Sequence, residues 1–77
     1  MLVTTRNSVY ELDSDHRRIR RVSGDVAPTP AFDPEGEWKD YHEVTGFEVG
    51  SPVATVHWGT GGYTRLSRVL GITERLF

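Results

Sequence analysis

The chain has 77 residues, 36% hydrophobic and 26% charged, with a formal net charge of −2 and no cysteine. That length and composition exclude a multidomain enzyme, a collagen-like chain and a coiled coil, and leave room for one domain spanning 1–77. The missing cysteines exclude a disulfide framework and any Cys-based zinc site.

A core this small supplies only about 3–5 kcal/mol of net stability, so a second copy or a bound partner is the expected staple. The opening Leu2-Val3-Thr4-Thr5-Arg6 lacks the charged-then-apolar order of a signal peptide. No apolar run approaches the roughly 20 residues of a membrane span. The expectation is a soluble cytoplasmic protein that needs no membrane. Arginine outnumbers lysine eight to one, a bias expected of a GC-rich source.

Period 2 dominates the chain. Leu2 to Thr5 is short and β-branched. Ser8 to Leu12 alternates, with Tyr10 and Leu12 on one face. Arg6-Asn7 between them reads as a tight hairpin turn, Asn7 supplying a positive φ. Asp13-Ser14-Asp15-His16 is a four-residue polar turn. Arg17 to Val22 reads as a third strand. Ile19 and Val22 stand three apart, so a bulge near Arg20-Arg21 or a single helical turn is needed there.

Residues 23–36 hold Gly24, Pro28, Pro30, Pro34 and Gly36, which predicts a long loop and the most mobile internal segment. Glu37 to Val44 is amphipathic and bracketed by Gly36 and Gly46, and is read as a strand in preference to a short helix. Pro52 to Trp58 is the clearest strand, with Ala54, Val56 and Trp58 on one face. Gly59-Thr60-Gly61-Gly62 is a hairpin loop. Tyr63 to Leu70 and Ile72 to Phe77 complete the chain. The predicted fold is all-β: a small meander-like barrel or sandwich of five to seven short strands, with room for one short helical turn.

Thr5 to Asp13, Arg17 to Arg21, Gly36-Glu37-Trp38, Glu48 to Val53 and Ser67-Arg68-Val69 together resemble small β-rich proteins of actinobacteria and their phages. The resemblance covers most of the chain and implies a small β-barrel or sandwich from a GC-rich source. It carries no activity, cofactor or catalytic residue.

The candidate chemistry is thin. His16, His42 and His57 show no H-x-H, H-x₃-H or HExxH spacing, so no metal site is read. Asp13-x-Asp15 begins like a calcium loop, but Arg17 and Arg18 occupy the next ligand positions. Gly59 to Gly62 lacks the lysine of a phosphate loop. The carboxylates between Asp33 and Glu48 have nothing to fix two of them across a cleft. No nucleophile-elbow pattern occurs. The reading is no enzyme and no cofactor.

Charge is more informative. Residues 1–24 carry five arginines and three acids, residues 25–50 one lysine and seven acids, and residues 51–77 three arginines and one acid. An acidic middle between basic ends points to two faces of opposite sign if the ends pair in one sheet. Arg17, Arg18, Arg20 and Arg21 form the densest cationic run, read either as a ligand-binding edge or as an edge strand blunted by charge. Arg18 and Arg20 share a face in a regular strand, and replacing both with Glu costs within about 1 kcal/mol if they are exposed.

Trp38 and Tyr41, among acids beside the proline loop, are the candidate exposed anchors, with a lid over the core as the competing reading. Leu76 and Phe77 are the candidate self-association residues of a homodimer. The function expected is a non-enzymatic protein–protein interaction module, a phage or actinobacterial accessory factor acting on a host or cellular protein. The alternative is a small nucleic-acid-binding β-barrel using the arginine run, which the net acidity disfavours.

Overall fold

The structure is a computed structural model and describes residues 1–74. Eight strands follow in chain order: β1 (Leu2–Thr5), β2 (Ser8–Asp13), β3 (Arg18–Gly24), β4 (Lys39–Asp40), β5 (Glu43–Thr45), β6 (Ala54–His57), β7 (Tyr63–Leu66) and β8 (Val69–Thr73). A five-stranded antiparallel sheet has the order β4-β3-β2-β1-β8, and a three-stranded one the order β5-β6-β7. The fold is all-β, as expected, and the described residues form one strand more than the five to seven predicted. The two sheets do not close into a barrel.

The turns form where their chemistry predicts, with one exchange of means. At Arg6-Asn7 no positive φ is used; among the described non-glycine residues only Arg17 takes one, at 50°. Instead the Thr5 hydroxyl donates to the Ser8 carbonyl at 3.0 Å and accepts from its N–H at 3.1 Å. In the next turn Asp13 accepts from the His16 N–H at 3.3 Å, and the left-handed residue falls at Arg17. At the Gly59 to Gly62 hairpin, Trp58 N–H reaches the Gly62 carbonyl and Gly61, at φ 88°, returns its own N–H to Trp58.

β3 contains its bulge, placed at Val22: Tyr10 pairs with Arg21 and Val9 with Ser23, which leaves Val22 as the extra residue. Ile19 therefore shares the core-facing side with Arg21, not with Val22. The Glu37 to Val44 segment is extended, but it is two strands in two sheets. Tyr41 N–H bonds the Arg17 carbonyl beside β3, and His42 N–H bonds the His57 carbonyl on β6. The chain thus changes sheet between consecutive residues.

Both sheets bury one face on a single cluster. Val3, Tyr10, Leu12, Ile19 and Val69 come from the five-stranded sheet, and Ala54, Val56 and Leu66 from the three-stranded one. Phe32 enters from the proline loop, 1% exposed, on a short 3-10 turn at Pro30–Phe32. Its ring lies 5.0 Å from Tyr10 and 5.7 Å from Trp58. Each fully buried side chain of this size contributes about 1.5–3 kcal/mol relative to exposure. Trp58 stands at the margin of the cluster, its Nε1 donating to Thr64 Oγ1 at 2.9 Å.

The first and last strands pair, Leu2 opposite Thr73. The two parts of the chain thus share one sheet, but β8 holds no arginine, and Arg65 stands in β7 of the other sheet. The acidic middle, however, folds onto the basic run: Arg21 bonds Glu35 at 2.8 Å and Asp40 stands opposite Arg18.

Candidate functional site

Alternation in β2 and β3 puts Glu11 and Asp13 on the outer face of the five-stranded sheet, with Arg20 and Arg18 directly opposite them. Arg20 donates to Glu11 at 2.6 Å and 2.9 Å, and Arg18 donates to Asp13 at 2.9 Å. Continuing the β3–β4 register by one residue brings Trp38 alongside Arg20. Both guanidiniums lie over its ring, Arg18 and Arg20 each 4.4 Å from the centroid. Two cation–π contacts at a half-buried ring contribute about 0.5–2 kcal/mol each and hold the indole in one orientation.

An open groove of about 560 Å³ lies against this face. Trp38, Arg18, Arg20, Glu11, Asp15 and Glu74 line it, with Met1 and Leu12 also in its lining. Withdrawal from water opposes ionisation of Asp13, but the bonds it accepts from Arg18 and His16 outweigh this and hold its carboxyl below the usual range. His16 Nδ1 lies 3.0 Å from Asp13 Oδ2.

The other residues singled out from the sequence are placed elsewhere. Arg17 is exposed in the turn, with no ion pair among the described residues. Arg21 is only 3% exposed and serves the fold: it donates to Ser8 Oγ at 3.3 Å, to Glu35 at 2.8 Å and to the Val26 carbonyl. These bonds, with the Gly36 N–H on the Arg21 carbonyl at 2.8 Å, tie both ends of the proline loop to β3. Tyr41 is 9% exposed within the core cluster, so it is not presented as an anchor; burial raises the pKa of its hydroxyl. Leu76 and Phe77 lie outside the described residues.

Sequence reasoning missed Glu11 and Glu74 as groove residues and Phe32 as the plug of the loop. Glu11 was within reach, since the Asp13 to His16 turn sets the register that faces it to Arg20. A second, shallower hollow of about 310 Å³ lies between His42, Glu43, His57 and the Gly59 to Gly62 loop. Among the described residues no three His, Asp or Glu side chains are grouped to hold a metal ion, and no helix is long and apolar enough to cross a membrane. The chain matches no protein-family model, no curated protein and no solved structure.

Proposed function

We propose that the chain is a non-enzymatic protein–protein interaction module, an actinobacterial or phage accessory factor that binds a host or cellular protein through the outer face of its five-stranded sheet. One observation carries the reading: the guanidiniums of Arg18 and Arg20 each lie 4.4 Å from the centroid of the Trp38 ring, which lines an open groove. Trp and Arg dominate binding hot spots. A ring fixed before binding loses less entropy on docking than a free one.

The nucleic-acid alternative has less support. Phosphate binding needs uncompensated cations. Arg18, Arg20 and Arg21 are each paired with a carboxylate, and of the run only Arg17 has no ion pair among the described residues. The test is affinity capture from an actinobacterial lysate, quantified by mass spectrometry, with the wild type and Trp38→Ala. A protein retained by the wild type and depleted at least about tenfold with Trp38→Ala supports the reading, that being the loss of a hot-spot side chain. An identical set of captured proteins overturns it.

A further inference from the structure

We infer that the groove beside Trp38 takes a cationic segment of the partner protein, an extended stretch carrying Lys or Arg. This rests on the interaction-module reading and names the chemistry of its partner.

The charge state of the unpartnered sheet face selects the occupant. Four carboxylates line the groove, Glu11, Asp13, Asp15 and Glu74, against Arg18, Arg20 and the Met1 ammonium. The cations are already engaged: Arg20 with Glu11, Arg18 with Asp13, and the Met1 ammonium with the Leu12 carbonyl at 2.9 Å. Asp15 and Glu74 are exposed and have no ion pair or hydrogen bond among the described residues. An anionic occupant would meet Asp15 and Glu74, two carboxylates without an ion pair among the described residues, and compete with Glu11 and Asp13 for the arginines. A cationic occupant meets those two carboxylates with no arginine to displace.

The shape of the site agrees with the charge. Guanidiniums lie over the ring of Trp38, so the groove offers an occupant the indole edge and the half-buried Met1. An aliphatic Lys or Arg stem packs along such a surface while its head stays at the wet rim, where Asp15 and Glu74 stand.

The test uses the full chain and three fluorescein-labelled probes followed by anisotropy: a nonapeptide alternating lysine and serine, the same peptide with glutamate for lysine, and a single-stranded oligothymidylate. The lysine peptide should bind tightest. Its affinity should fall by at least about fivefold with Asp15→Asn/Glu74→Gln, and by a similar factor between about 50 and 300 mM salt. Equal or tighter binding of the glutamate peptide or the oligonucleotide overturns the inference, as does unchanged affinity of the double variant. Sedimentation of the protein alone adds a control: a dimer that the double variant dissolves would make a second copy the occupant and overturn it too. Failure of the lysine peptide, while Trp38→Ala still abolishes capture from lysate, defeats this inference alone. Full lysine-peptide affinity in Trp38→Ala defeats the role given to Trp38 beneath it.

Discussion

Arg18 and Arg20 stand on one strand, on one face, at the same 4.4 Å from Trp38, and differ in the carboxylate each one meets. The Asp13 side chain is 24% exposed and that of Glu11 5%. An exposed pair contributes about 0.2–1 kcal/mol, because water screens it and its ordering costs entropy. A charge-assisted bond to a carboxylate withdrawn from water contributes about 1.5–3 kcal/mol. Arg18→Ala should therefore cost under about 1 kcal/mol, and Arg20→Ala about 2–3 kcal/mol. At about 4–8 °C of melting temperature per kcal/mol for a domain this size, Arg20→Ala should melt roughly 8–24 °C lower. The double replacement by Glu sets a like charge opposite Glu11 and should exceed the 1 kcal/mol expected of exposed side chains. Urea unfolding followed by circular dichroism, with calorimetry alongside, reads both singles. Equal losses for Arg18→Ala and Arg20→Ala, or a loss under about 1 kcal/mol for Arg20→Ala, would refute the assignment of Arg20 as a structural ion-pair member.

Phe32→Ala empties the space between Tyr10 and Trp58 and should cost about 3–5 kcal/mol in urea unfolding, enough to unfold much of so small a domain; a loss under 1 would detach the proline loop from the core. Gly46 has φ 72°, and an added Cβ would collide with the Val53 carbonyl, whereas Gly61, at φ 88°, has open space around it. Gly46→Ala should thus destabilise clearly more than Gly61→Ala, whose cost is the left-handed backbone alone at about 1–2 kcal/mol; equal melting temperatures would contradict the packing at Gly46. Because Asp13 is held below the ordinary value of about 3.9, its contribution is full above that pH and is lost as pH falls through the lowered value. The carboxyl resonance of Asp13 should titrate below 3.9, and Asp13→Asn should flatten the acid limb of the stability curve. Burial raises Tyr10 and Tyr41, so the unfolded chain ionises first and stability should decline above about pH 10; Tyr41→Phe should weaken that decline.

The strands and hairpins were legible wherever local chemistry decides them. Alternation through Ala54, Val56 and Trp58 and the turn residues at Asp13 to His16 and Gly59 to Gly62 need no distant partner to be read. The sheet change at Tyr41-His42 was not legible, because an extended segment has the same side-chain pattern whether its two halves pair with one sheet or with two. Phe32 was hidden for a related reason: a proline loop has no period, so its one buried side chain has no pattern to stand out from. Arg21 is the instructive case. Alternation from Ile19 places it inward, but its charge argues outward; the conflict is resolved by Glu35 and Val26, brought to it by a loop whose path only the folded chain defines. Of the candidate site, Arg18, Arg20 and Trp38 were read from the sequence, and the carboxylates that neutralise the arginines came from strand register.

The central claim, that the Trp38 face is the binding surface, is tested most directly by amide and indole NMR of the full chain titrated with a protein captured from lysate. The account predicts that the largest shifts fall on the Trp38 indole and on Arg18, Arg20, Asp15 and Glu74. Shifts concentrated instead on His57, Tyr63 and Arg65 of the three-stranded sheet, with the Trp38 indole unmoved, would contradict it.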